Sequence, residues 1–235
     1  MKKVLFFSAV ALSAIMMVSC NKPAAQTEEK EAIEQEASQG LDAFRTALSL
    51  AQYGYAVQSP AALIEAADIL ASTPAEEVAV EGEAGAQNEN EGEKAAKAEI
   101  TVEQLLADAR ALTDDANLLA LADKVAAKAA AAAEAEGTRG ATGGPKYQRD
   151  RVYSHSYIQY VQAFYASQIA EVSVVGDGDT DLDLYVYDEN GNLIVSDTGY
   201  TDRCYVRWCP RWTGNFLIRV VNRGGVYNNF TIATN

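Results

Sequence analysis

The chain is poor in the residues that most catalytic and metal-binding chemistry relies on. Of its 235 residues one is histidine and three are cysteine, and 19 basic side chains face 33 acidic ones for a formal net charge of −14. A single histidine excludes poly-histidine metal sites and leaves one candidate, His155, for imidazole acid–base chemistry. Three cysteines cannot build a dense disulfide framework. The acidic balance argues against nucleic-acid binding, which needs a basic face to meet phosphates. No H-E-x-x-H, phosphate-binding loop, dinucleotide fingerprint or G-x-S-x-G elbow occurs. His155 lies between Ser154 and Ser156, too close in sequence for a triad, and the reading is of a non-enzyme.

What is present is unevenly spread. Residues 21–145 carry 9 basic and 23 acidic side chains, whereas 146–235 carry 8 and 10. Of the 20 aromatic residues, 15 lie after residue 145. An acidic, aromatic-poor middle is thus joined to a nearly neutral, aromatic-rich end.

The first residues read as an address. Lys2 and Lys3 precede a nearly unbroken apolar run from Val4 to Val18. Its 15 residues fall short of the ~20 needed to cross a bilayer. They fit a signal-peptide core. The run ends Met17-Val18-Ser19-Cys20, which resembles the lipobox of bacterial lipoproteins, although Met17 replaces the commoner leucine. The resemblance implies a signal peptide over 1–19 and lipidation of Cys20. Three acyl chains exceed the two signals that stable anchoring needs. Asn21, rather than aspartate, follows the cysteine, which favours the outer membrane under the best-known sorting rule. The expected setting is the cell envelope, facing periplasm or surface.

Residues 20–40 have almost no large apolar side chains and read as a tether. Over 41–136 the apolar period becomes helical. Leu41, Phe44, Leu48, Ala51 and Tyr55 share one face. Ser59-Pro60 opens a second helix that ends at Thr73-Pro74. Thr101, with Gln104 at capping-box spacing, opens a third, and Thr113 or Asp114 caps a fourth that Gly137 stops. Residues 75–99, mainly Ala, Glu and Gly, read as a disordered or weakly helical acidic insert. The pattern predicts two antiparallel helical hairpins acting as a spacer, or as a module that docks a partner.

Residues 137–145 hold four glycines and a proline and read as a linker. Beyond it the period is two. Leu182, Leu184 and Val186 alternate with Asp183, Tyr185 and Tyr187; Cys204, Val206 and Trp208, then Phe216, Ile218 and Val220, repeat the pattern. Asn190-Gly191 is a hairpin signal. Seven short strands over 146–235 argue a β-sandwich. The fold class is therefore α plus β in separate domains.

GDGDTDLDLYVYDENGNLIVSD (176–197), Thr213-Gly214-Asn215-Phe216 and Asn228-Asn229-Phe230 resemble, over about 150–235, the bacterial pre-peptidase C-terminal domain family. That family has a D-x-D-L-Y strand, an N-G turn, a T-G-x-[FY] strand start and a closing Y-x-[FL] strand. Asp181, Asp183, Leu184 and Tyr185 match the first of these. The resemblance implies a jelly-roll-like sandwich appended to secreted proteins, some of which bind insoluble polymers or calcium. The residues before it read as helices and linker, so a protease-linked role is not expected.

Two candidate sites follow. Asp177, Asp179, Asp181 and Asp183 alternate, and in extended chain alternate residues share a side, so calcium is the candidate cofactor. The spacing departs from an EF-hand, because Leu182 stands where glycine is required. Tyr185 and Tyr187 point away from Leu184 and Val186 and form a candidate ligand-binding face. If Cys204 and Cys209 share one strand, five residues at ~3.3 Å each put them about 16 Å apart, too far to pair unless a sharp bulge precedes Pro210, and two free thiols are expected. The leading expectation is a lipid-anchored, non-catalytic binding or structural module. Its partners would be the membrane and an envelope polymer or protein. The alternative is a helical adaptor for a periplasmic partner, with the sandwich as accessory domain.

Overall fold

The computed structural model describes residues 28–86, 92–95, 97, 99–136 and 144–235, with side chains from residue 38 on except at 135 and 136. The signal peptide 1–19, Cys20, the first part of the tether and linker residues 137–143 lie outside the described residues.

The helices come first. α1 (Glu28–Val57) takes in the second half of the expected tether, and α2 (Pro60–Ser72) follows it. Ser59 caps α2, its hydroxyl accepting from the Ala62 amide at 3.3 Å ahead of Pro60. α3 (Val102–Ala111) is capped by Thr101, which accepts from the Gln104 amide at 3.1 Å. The Gln104 side chain does not reach back; it donates to Asp108 at 2.9 Å. α4 (Ala116–Glu136) is capped by Asp115, not by Thr113 or Asp114, with its carboxylate accepting from the Asn117 amide at 2.7 Å. Leu63, Ile64, Leu105, Leu106 and Val125 close a core between these helices, with alanines at the close approaches. Among the described residues no helix is long and apolar enough to cross a membrane.

The strands follow. β1 (Glu76–Glu77) and β2 (Glu83–Ala84) are short; β3 (Lys146–Val152), β4 (Tyr157–Phe164), β5 (Ala170–Val175), β6 (Leu182–Tyr187), β7 (Leu193–Asp197), β8 (Arg203–Trp208), β9 (Gly214–Asn222) and β10 (Asn228–Thr234) build the sandwich. One sheet runs β1-β3-β10-β5-β8 and the other β2-β4-β9-β6-β7. Leu184, Val186, Val172, Val174, Val206, Trp208, Phe216, Ile218 and Val220 meet between them, the inward sets that the alternation marked. α plus β, with the helices in the N-terminal part and a C-terminal sandwich that the insert strands β1 and β2 join, is the fold.

Two expectations need correction. The insert is not a structureless loop: β1 adds a parallel edge strand to β3, and β2 adds an antiparallel one to β4. Nor do the helices form a free stalk. All of β5 is buried, because the sandwich covers Ala170, Val172 and Val174 while α1 lies over the other side. Leu41, Phe44 and Leu48 of α1 pack on Val175 and Ala233. Around them Ser38 donates to the Glu171 carboxylate, and the Arg45 guanidinium sits 4.4 Å from the Tyr205 ring centroid. Burying each large apolar side chain on this face contributes about 1.5–3 kcal/mol.

The Asn190-Gly191 hairpin is present, but only Gly191 has positive φ, at 80°. The turn is organised by Asp188, whose carboxylate accepts from the amides of Asn190 and Asn192 at 2.9 and 2.8 Å.

Candidate functional site

The two sheets differ in what lies on their outer faces. α1 covers the first; the second is left open among the described residues. On that open face the register sets Gln159 of β4 opposite Arg219 of β9, and Arg219 opposite Tyr185 of β6. Alternation adds Tyr157 and Tyr187 to the same side. Both expected residues, Tyr185 and Tyr187, are therefore on this surface, half-buried and stacked with centroids 6.2 Å apart and planes 20° apart.

Arg219 holds the platform together. Its Nε and Nη2 donate to Gln159 Oε1 at 3.0 and 2.7 Å, and its guanidinium carbon lies 4.6 Å from the Tyr157 centroid and 5.5 Å from that of Tyr187. Gln159 in turn donates to Glu83 of β2 at 2.8 Å. At the other end the Tyr185 hydroxyl donates to Asp183 Oδ2 at 3.0 Å and accepts from Arg223 at 3.0 Å. Arg223 also lies 2.6 Å from the Asp183 carboxylate. Partial burial, then the hydrogen bond to Asp183, raise the Tyr185 hydroxyl pKa. The result is a pre-set row of ring faces interleaved with donors and acceptors, open to solvent. Val161 and Leu193 extend it at its margin.

The four aspartates do not converge. Gly178 has φ of +86°, which breaks the extended geometry that alternation assumes, and β6 starts only at Leu182. Asp177 and Asp179 instead face the insert. Lys94 binds Asp177 and sits 2.9 Å from Asp179; Lys97 sits 2.5 Å from Asp179. Asp183 is turned to Arg223 on the tyrosine face. Asp181 is held apart, its Oδ1 buried with no hydrogen-bond partner among the described residues. Burial and the nearby Asp183 raise the Asp181 pKa. Among the described residues no three His, Cys, Asp or Glu side chains are gathered to hold a metal ion, so the calcium expectation finds no donor set.

Asp202, not anticipated from sequence, backs this loop: it is buried and accepts from the Gly178 amide and from Gln52 of α1 at 3.3 Å. A cleft of about 940 Å³ opens beside it, walled by Tyr55, Lys97, Asp181 and Asp202 with Tyr53 and Tyr200 at its mouth.

Cys204 is a buried free thiol whose Sγ donates to the Leu182 carbonyl at 3.1 Å. Cys204 is unbonded and so does not pair with Cys209. His155 is exposed in the β3–β4 turn, with φ of +50°.

Tyr157, Gln159 and Arg219 were missed because pairing register alone brings them to Tyr185 and Tyr187. Lys94 and Lys97 carried a signal, being the two basic residues in the acidic stretch 75–99.

No protein-family model matches the chain, and no curated protein sequence matches it. Solved structures are similar to part of the chain. The periplasmic g-type lysozyme inhibitor PliG of Aeromonas hydrophila is 15% identical over 41% of this chain and 90% of its own, with a TM-score of 0.32. The pre-peptidase C-terminal domain of a Bacillus anthracis collagenase is 10% identical over 39% and 76%, with a TM-score of 0.23. The C-terminal family 6 carbohydrate-binding module of the Zobellia galactanivorans laminarinase LamC is 14% identical over 35% and 73%, with a TM-score of 0.25.

Proposed function

We propose that the chain is a non-catalytic binding module of the cell envelope, anchored through lipid on Cys20, whose open tyrosine face takes a glycan-containing envelope polymer. The observation that carries this reading is the arrangement of Tyr157, Tyr185 and Tyr187 around Arg219 on the uncovered sheet. Ring faces stack on the apolar faces of sugars, while Gln159, Arg219 and the exposed Arg223 offer polar groups to hydroxyls. Rings fixed by Arg219 lose little entropy on binding. The motifs shared with pre-peptidase C-terminal domains support the same reading. The adaptor alternative has less support, because α1 spends Leu41, Phe44 and Leu48 on the sandwich.

The binding test is retention of the full mature chain on purified peptidoglycan and on other insoluble envelope glycans. Tyr187→Ala and Tyr157→Ala should each weaken retention about tenfold, the equivalent of ~1.4 kcal/mol, in line with one lost ring contact. Retention unchanged in both variants removes the tyrosine face from the proposal. The anchor is tested separately by mass spectrometry of the Cys20 peptide. A diacylglycerol thioether supports it; a Cys20 sulfur recovered in a disulfide refutes it.

A further inference from the structure

Lys94 occupies a built site. Its side chain is 8% exposed and that of its partner Asp177 is 9% exposed, although Lys94 belongs to an acidic, mostly solvated stretch. The ammonium meets two carboxylates, Asp177 and Asp179, and lies 4.3 Å from the centroid of the Tyr227 ring. The other cation on that ring, Arg151, is 4.2 Å from the centroid and is fixed by Asn229 at 2.8 Å. Asn229 also donates its amide to Asp177 Oδ2 at 3.0 Å, which fixes the carboxylate from behind. The second oxygen of Asp177 is buried without a hydrogen-bond partner among the described residues. Carboxylates on one side and a ring face on another, in a largely dry corner, are the elements of ammonium recognition. They sit on the sandwich loops 176–181 and 223–227, whereas the cation comes from the strap that carries Lys94 and Lys97. Gly92 pins the start of that strap, its amide donating to the Gly225 carbonyl at 3.0 Å. Lys97 also walls the cleft beside Asp202.

We propose that Asp177, Asp179 and Tyr227 form a primary-ammonium site filled in cis by Lys94, so that the strap is a self-ligand an external amine can replace. The site is built for an R–NH₃⁺ group, because three directed protons can serve the two carboxylates while the positive charge lies over the ring face. A quaternary ammonium has no proton to donate and fits the ring alone.

The test is thermal melting of the mature Lys94→Ala protein in ethylammonium chloride, tetramethylammonium chloride and sodium chloride at equal ionic strength. Removing one partner of a buried pair should lower the melting temperature by on the order of 5–10 °C. Ethylammonium should restore a substantial part of that loss, the other two salts should not, and Lys94→Ala/Asp179→Asn should fail to respond. Equal effects of the three salts on Lys94→Ala overturn the proposal. A second measurement needs no variant: acylation of lysines in the native protein. Lys94 should label more slowly than exposed Lys124 by at least an order of magnitude. Equal labelling overturns the proposal even where Lys94→Ala does not fold.

Discussion

Phe44 of α1 lies against Tyr147 of β3, ring centroids 4.9 Å apart. Phe44 is buried among Leu41, Leu48, Val175 and Ala233, so this pair ties the helical half to the outer face of the first sheet. The helices are therefore part of how the sandwich is stabilised.

Phe44→Ala should cost about 3–5 kcal/mol, the usual penalty for truncating a buried phenylalanine. The measurement is equilibrium denaturation followed separately by far-ultraviolet circular dichroism at helical wavelengths and by tryptophan fluorescence from Trp208 and Trp212. In the wild type the two transitions should coincide, because the halves share a core. Transitions that are separate in the wild type and unmoved by Phe44→Ala would show that the contact carries no load.

Much of this arrangement was legible in the sequence, and the limit has a physical cause. Periodicity reports which side of an element is apolar, so Leu182, Leu184 and Val186 were placed inward, and the caps at Ser59 and Thr101 were visible as local chemistry. Periodicity does not report what covers the other side. Glu171, Ser173 and Val175 lie on the side of β5 away from the sandwich core, yet they are buried there, with α1 packed over them. β3, written KYQRDRV, hid behind its charges because its outer positions are wet and its stability comes from pairing with β10. The tyrosine face was half visible: Tyr185 and Tyr187 share a strand, but Arg219 and Gln159 reach them only through long-range register. The aspartates misled because alternation holds only where the chain is extended, and Gly178 turns it.

Cys204 should be chemically silent. Burial first, and then the surrounding carboxylates of Asp197, Asp183, Asp202 and Asp181, push its thiol pKa far up, and the thiolate is the reactive form. Native protein should leave Cys204 unlabelled by a maleimide at neutral pH, and denaturant should expose it. Rapid labelling without denaturant would mean that β6 and β8 open locally.

Gly178 and Gly225 make a matched pair. Neither has a close neighbour where a Cβ would stand, but Gly178 has φ of +86°. Gly178→Ala should cost about 1–2 kcal/mol through the backbone alone. Gly225→Ala should stay within about 0.5 kcal/mol of wild type. Chemical denaturation of both variants tests this, and equal costs would rule out backbone strain as the cause.

Asp179 gives the strap a pH signature. Burial alone would raise its carboxyl, but the hydrogen bonds and charges of Lys97 and Lys94 outweigh burial and hold it below the usual aspartate range. A carboxyl depressed in the folded state contributes its full stability above its unfolded pKa, and loses it as pH falls through the folded value. With an unfolded pKa of about 3.9, the contribution should be constant from neutral pH down to about 5 and decline below about 4. The observable is the melting-temperature difference between wild type and Asp179→Asn across that range. It should be flat near neutrality and shrink in acid as Asp179 protonates. A difference that widens on acidification would mean that Asp179 is destabilising when ionised, and would contradict the lysine-held geometry.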